Sequence, residues 1–216
     1  IFPEADSKTY TMNWETLLSF DDSITFGARS YLGYPEICGD HLMRHLHKSW
    51  HVVNHSTNGF TTMDLQRSIN PLMQNFKSLH PGIITVMIGT NDIKQKVSLA
   101  DFEIAYRQLI VKLRLLSVNN NVLLLHIPRF TKKVVYPYNY SMNEKVEEFN
   151  AVIERLAREH DLRSLAMSFH DMDFFDGVHF NQQGCENAAR QLTDYLLKDK
   201  GLEELRDRSE HLTVAR

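Results

Sequence analysis

The sequence predicts an α/β fold, a three-layer α/β/α sandwich around a five-stranded parallel sheet. Two observations carry that expectation. Short apolar runs alternate along the chain with longer segments of helical period, the order that builds βαβ units. The runs are also continuous rather than alternating, as strands buried on both faces of a parallel sheet should be.

The first run is Thr16-Leu17-Leu18-Ser19-Phe20, and the second is the short pair Val52-Val53. Leu65, Ile69, Leu72, Met73 and Phe76 then share one helix face. Ile83-Ile84-Thr85-Val86-Met87-Ile88 is the third strand, followed by a helix through Phe102, Ala105, Tyr106, Leu109, Ile110, Leu113 and Leu116. Val122-Leu123-Leu124-Leu125 is the fourth strand, and Val146, Phe149, Ile153, Leu156 and Ala157 mark the next helix. A weaker fifth strand, Ser164-Leu165-Ala166-Met167, precedes a helix through Cys185, Ala188, Ala189, Leu192, Tyr195 and Leu196. No repeat or low-complexity stretch interrupts the series. Residues 1–199 are expected to form one domain, and the charged segment 200–216 a tail or peripheral helix.

Composition bounds the function. With 216 residues, 43% hydrophobic and 24% charged, the chain is an ordinary globular one with a sizeable core. A net charge of -3, from 24 basic and 27 acidic residues, argues against a broad nucleic-acid footprint. No apolar run reaches the length of a transmembrane helix. The start Ile1-Phe2-Pro3-Glu4-Ala5-Asp6 shows no signal peptide, although the chain does not begin with Met. Cys38 and Cys185 are too few for a disulfide scaffold and lean towards a reducing, cytoplasmic compartment. The sequence carries no signal for oligomeric state.

In a sheet of this kind the site lies beyond the carboxyl ends of the strands, so residues there converge however distant in sequence. After the first strand comes Asp21-Asp22-Ser23, and after the second Asn54-His55-Ser56-Thr57-Asn58-Gly59. After the third comes Gly89-Thr90-Asn91-Asp92, and after the fifth Asp176-Gly177-Val178-His179. Each has a plain reading as a helix cap or a turn. Together, in this order, the four segments resemble the signature blocks of the SGNH hydrolases, the GDSL esterase/lipase superfamily. They span Asp21 to Gly184.

The resemblance implies the flavodoxin-like SGNH hydrolase fold and a serine esterase without metal or organic cofactor. Ester hydrolysis needs a nucleophile, a base and donors for an oxyanion. Ser23 is the expected nucleophile, at a helix N-terminus that favours developing negative charge. His179 is the expected base, and Asp176 the carboxylate that orients it. The expected oxyanion donors are the N–H groups of Ser23 and Gly59 and the amide of Asn91. Candidates for substrate contact are Asp22, His55, Tyr136 and Tyr138. The two tyrosines lie in a long segment, residues 128–140, expected to form a lid or substrate wall.

Small-molecule or carbohydrate esters with short acyl groups are the expected substrates. Lysophospholipase, thioesterase and O-acetyltransferase activities are the alternatives. One position departs from the family: its glycine before Asp-Ser is here Asp21. The expectation is a solvent-facing side chain of little consequence; the competing reading is an impaired enzyme or a binding module. Paired acids after a first strand also suit phosphatases of the Asp-x-Asp type, but the second acid would fall on Ser23. No glycine-rich phosphate loop is present. The 11 histidines raise the question of metal. His41 and His45 lie one helical turn apart and His51 and His55 flank the second strand, but neither pair has a completing ligand, so no metal site is expected.

Overall fold

The computed structural model describes residues 14–117 and 120–198. The expected C-terminal tail lies outside the described residues. In chain order the elements are β1 (Trp14–Asp21), α1 (Ser23–Phe26), α2 (Tyr34–Leu46), β2 (Ser49–Ser56), α3 (Thr62–Ile69) and α4 (Met73–Ser78). Then follow β3 (Ile83–Met87), α5 (Thr90–Lys94), α6 (Leu99–Leu116), β4 (Val122–Leu125), α7 (Asn143–Glu159), β5 (Arg163–Leu165) and α8 (Gln182–Leu197).

The five strands form one parallel sheet in the order β2-β1-β3-β4-β5. The chain runs from β1 to one edge, returns past β1 to β3, and continues to the other edge. Right-handed crossovers then put the β1–β2 helix on one face and the later crossover helices on the other. Accordingly α2 packs on α8, while α3 and α4 pack on α6 and α6 on α7. The direction of winding reverses between β1 and β3, and the crevice of such a sheet opens at that point.

Burial explains which strands the sequence announces. Leu17, Leu18 and Phe20 of β1 and all of β3 and β4 are inaccessible to solvent or nearly so. The edge strand β2 is mostly half-buried, and only Val52-Val53 of its eight residues reads as a strand. The other edge, β5, is three residues long and half-buried throughout. One expected helix is broken. The periodic stretch from Leu65 to Phe76 is divided by a 3-10 turn at Asn70–Leu72, because Pro71 offers no N–H and its ring crowds the preceding turn.

Side-chain caps hold the helix starts that face the site. Thr61 and Asp64 form a reciprocal capping box on α3, which satisfies two otherwise orphaned amides. Asn181 accepts from the Gly184 N–H at 3.0 Å and starts α8. On α6 and α7 the expected apolar face is the buried one, with Phe102 and Phe149 rings 4.1 Å apart between the helices. Leu124 on β4 has no exposed surface. Its replacement by alanine should cost about 2–5 kcal/mol in denaturant-melt stability, the price of a buried cavity.

Candidate active site

The site grows from the ends of β1 and β3, which are neighbours in register up to Asp21 and Met87. After Asp21 the chain turns at Asp22, whose Oδ1 accepts from the Ile24 N–H at 2.9 Å and caps α1. Ser23 is therefore the first residue of that helix. α1 has only four residues, too few for an appreciable macrodipole. What the turn offers an anion is the Ser23 N–H itself, one of the unsatisfied amides of a first helical turn.

Ser23 Oγ lies 2.9 Å from His179 Nε2, and His179 Nδ1 lies 2.8 Å from Asp176 Oδ2. The other carboxylate oxygen of Asp176 accepts from the N–H groups of Val178 (3.0 Å) and His179 (2.8 Å). Burial alone would raise the Asp176 pKa; the His179 N–H, ring and charge and the Val178 N–H outweigh it and hold the carboxyl below its ordinary value. With Nδ1–H donating to that carboxylate, Nε2 is left to accept from the Ser23 hydroxyl. The loop is closed by a bridge between Phe174 and Phe180 and by the Phe175 N–H donating to the His179 carbonyl at 2.8 Å. Gly177 is required twice over. Its φ is +85°, and a Cβ there would lie 2.6 Å from the Val134 nitrogen.

Three turns interlock beside Ser23. Asn91 donates from Nδ2 to Asp22 Oδ2 at 2.9 Å and to the Phe60 carbonyl at 3.1 Å. Its Oδ1 accepts from the Tyr138 hydroxyl at 3.3 Å. The Gly59 turn is anchored by Thr57 N–H donating to the Asp21 carbonyl (3.1 Å) and by Asp92, which accepts from the Thr62 N–H (2.9 Å). Gly59 has φ +83°, yet nothing lies within 4 Å of where its Cβ would be. The dihedral, not close approach of protein atoms, selects glycine there. Both amide hydrogens of Asn91 are already engaged, so it reaches an oxyanion only by sharing one of them.

Several expected residues stand elsewhere. Asp22 is 0% exposed, its oxygens taken by Ile24 and Asn91. His51 and His55 lie within β2 rather than flanking it. His55 turns away from the site, packing edge-on against Phe20 and Phe76 with Nε2 3.3 Å from Ser68 Oγ. Tyr136 is 93% exposed, while Tyr138 reaches Asn91. Asp21 is not solvent-facing either: it is 1% exposed, and Thr25 donates to it from both N–H and Oγ1. Among the described residues with positive φ, position 21 does not occur. Among the described residues no three His, Cys, Asp or Glu side chains are grouped so as to hold a metal ion. Cys38 and Cys185 are free thiols buried in or beside the α2–α8 contact, and burial pushes Cys38 up to about 12.

Residues the sequence reading did not assign also build the site. Asp92 was visible in the third block but without a role. Thr131, whose N–H donates to the Gly177 carbonyl at 3.0 Å, lies in the expected wall segment but had no individual role. Lys94 lies 5.8 Å from the Tyr138 ring centre, a cation–π contact that holds the tyrosine over Asn91. A cavity of about 480 Å³ is lined by Thr131 and by Arg129, Phe130, Lys132, Tyr140 and Phe174 among others. Ser23 does not line it.

Against known families, residues 22–186 match the model of the GDSL-like Lipase/Acylhydrolase family. The chain belongs to that family. Its class is that of the carboxylic ester hydrolases. No curated protein matches the sequence. Similar solved structures include the lipase/acylhydrolase from Enterococcus faecalis (TM-score 0.67, 18% identity, 90% of this chain and 96% of that one). An acetylxylan esterase from Geobacillus stearothermophilus aligns at TM-score 0.61 and 21% identity over 82% of this chain and 92% of that one. An α/β hydrolase from the metagenome of Lake Arreo aligns at TM-score 0.64 and 20% identity, covering 82% and 93% respectively. These likenesses establish a shared fold. This GDSL-family chain has, among its described residues, no helix long and apolar enough to cross a membrane.

Three buried acids beside Ser23 make stability depend on pH. Burial pushes Asp22 up to about 7, with the charge of Asp92 adding to it, and Asp92 up to about 6. Asp21 is also raised, by burial and by the charge of Asp22. An unfolded chain has released these protons above its ordinary value of 3.8, so between there and about 7 the folded state binds more protons. Their contribution to stability therefore falls as pH rises through that window. His55 and His126, lowered by burial, pull the other way. The comparison that isolates the acids is wild type against Asp22→Asn. The denaturant midpoint of wild type should lose ground relative to the variant from about pH 4.5 to about pH 7.5; a parallel pair of curves would contradict this assignment.

Proposed function

We propose that this GDSL-family protein is a serine esterase that removes short acyl groups, acetyl above all, from carbohydrate esters. The observation that carries the reading is the continuous hydrogen-bonded line from Ser23 through His179 to Asp176. Ser23 Oγ attacks the ester carbonyl carbon while its proton passes to His179 Nε2. Asp176 keeps the Nδ1 proton in place and stabilises the imidazolium without becoming protonated. The oxyanion takes hydrogen bonds from the N–H groups of Ser23 and Gly59 and from one shared Asn91 amide hydrogen. Collapse expels the alcohol, which receives the proton from His179. A water, deprotonated by the same Nε2, then releases the acid and restores Ser23.

Three features support a small acyl group on a polar alcohol. The cavity of about 480 Å³ is not lined by Ser23; it is an aromatic chamber whose lining includes Arg129 and Lys132. Aromatic faces stack on sugar rings, and cationic side chains donate to hydroxyls. The shared fold also includes structures named as acetylxylan esterases. Lysophospholipids, thioesters and a sugar acceptor in place of water are the competing substrates, and the Asp176, His179 and Ser23 chemistry is the same for all.

A panel of p-nitrophenyl esters and acetylated oligosaccharides separates them. Acetyl esters should be the best substrates, and kcat/KM should fall about 10⁴-fold or more in Ser23→Ala. Asn91→Ala should lower kcat about 10²–10³-fold. Activity that survives Ser23→Ala would end the mechanism, and acyl transfer to an added sugar at the expense of hydrolysis would make the protein an acyltransferase.

A further inference from the structure

Asp21 stands where the family has glycine, and nothing in the proposed chemistry uses it. Its carboxyl is fully enclosed beneath α1, on the face of β1 that also carries Ser19, whose hydroxyl meets that of Thr85 at 2.8 Å. Oδ2 accepts from the Thr25 N–H at 3.2 Å and from the Thr25 hydroxyl. Thr25 Oγ1 is also 2.8 Å from the Tyr34 hydroxyl, at the start of α2. A threonine hydroxyl has one proton. When it donates to Asp21, Tyr34 must donate to Thr25, and every polar hydrogen of this buried chain finds an acceptor. No cation lies on it among these contacts.

We infer that Asp21 is a positioning residue for the nucleophile, its carboxyl clamping the one-turn helix α1 through Thr25 so that Ser23 Oγ stays in reach of His179. The inference rests on the esterase reading for its kinetic consequence but not for its structural one. α1 is a single turn of Ser23, Ile24, Thr25 and Phe26, and a helix that short has no stability of its own. It is pinned twice within the turn, by Asp22 at the Ile24 N–H and by Asp21 at Thr25. Along the chain Ser23 lies between the two acids that accept, Asp21 and Asp22, and the two residues that donate, Ile24 and Thr25. In relatives with glycine at this position the second anchor has no side chain to form it, so the α1 turn of this chain depends on a contact that those relatives lack.

The replacement Asp21→Gly therefore distinguishes two opposite views. If Asp21 impairs the enzyme, restoring the family residue raises activity. If Asp21 positions Ser23, Asp21→Gly should lower kcat about tenfold to a hundredfold for p-nitrophenyl acetate with KM within about twofold, because displacement of a reacting group by an ångström costs that much. Asp21→Asn, which keeps an acceptor for Thr25, should retain kcat within about fivefold. Hydrogen exchange supplies the readout that does not depend on activity. The Thr25 amide should exchange at least about tenfold faster in Asp21→Gly, while the β3 amides of Ile84 to Val86 keep their wild-type rates. Equal kcat and equal Thr25 protection in wild type and Asp21→Gly would overturn the proposal, and so would a uniform loss of protection that includes β3. A wild type that fails to hydrolyse any ester would sink the esterase reading alone; the exchange comparison would still decide the role of Asp21.

Discussion

The carboxyl of Asp22 is the interaction on which the site depends. One oxygen takes the Ile24 N–H and sets the turn that presents Ser23; the other takes the Asn91 amide and binds the end of β1 to the turn after β3. From Asn91 the connections spread to the Phe60 carbonyl beside Gly59 and to Tyr138 in the segment after β4. Four loops that meet at the carboxyl end of the sheet are thus registered against one another by a side chain with no solvent contact. Burying an acid is costly, and the cost appears as a pKa pushed up to about 7 even though the charge of Lys94 acts to lower it. The expense is tolerable because both oxygens are supplied with donors.

The sheet explains why these loops meet at all. β1 is the strand from which the chain winds outwards in both directions, and the crevice between β1 and β3 follows from that reversal. Ser23 leaves one side of the crevice and Asn91 the other. His179 and Asp176 come from beyond β5 and are held over the crevice by the Thr131–Gly177 contact and by α8, which packs on α2. The catalytic histidine proposed here is therefore positioned by two layers of the fold, and the serine by a single helical turn. That asymmetry is why side chains beneath Ser23 carry so much of the geometry.

Most of this architecture is legible in the sequence because the central strands are buried on both faces. β1, β3 and β4 read as uninterrupted apolar runs; β2 and β5, half-exposed at the edges, do not. The four strand-end blocks located Ser23, Gly59, Asn91, Asp176 and His179, which the fold brings to one region. The expectation that Asp21 faces solvent fails for a physical reason. Which way a side chain points at a strand end depends on parity and on the turn that follows, and polar residue type suggested outward. Every residue of β1 from Thr16 to Asp21 is buried, so the burial of that strand on both faces held a warning about Asp21. Asp22, Tyr136 and Tyr138 carried no comparable signal, since the loop conformations that bury one and expose another are set by partners distant in sequence.

The central claim is that Ser23 is the group that takes the acyl unit, and covalent labelling tests it most directly. An alkyl fluorophosphonate reacts only with a serine whose proton is being removed, forming the Ser–phosphorus bond with loss of fluoride. Peptide mass analysis of the labelled protein should find the phosphonyl group on Ser23, with the labelling abolished in His179→Ala. Modification of a different residue, or undiminished ester hydrolysis by a chain that takes no label, would contradict the account.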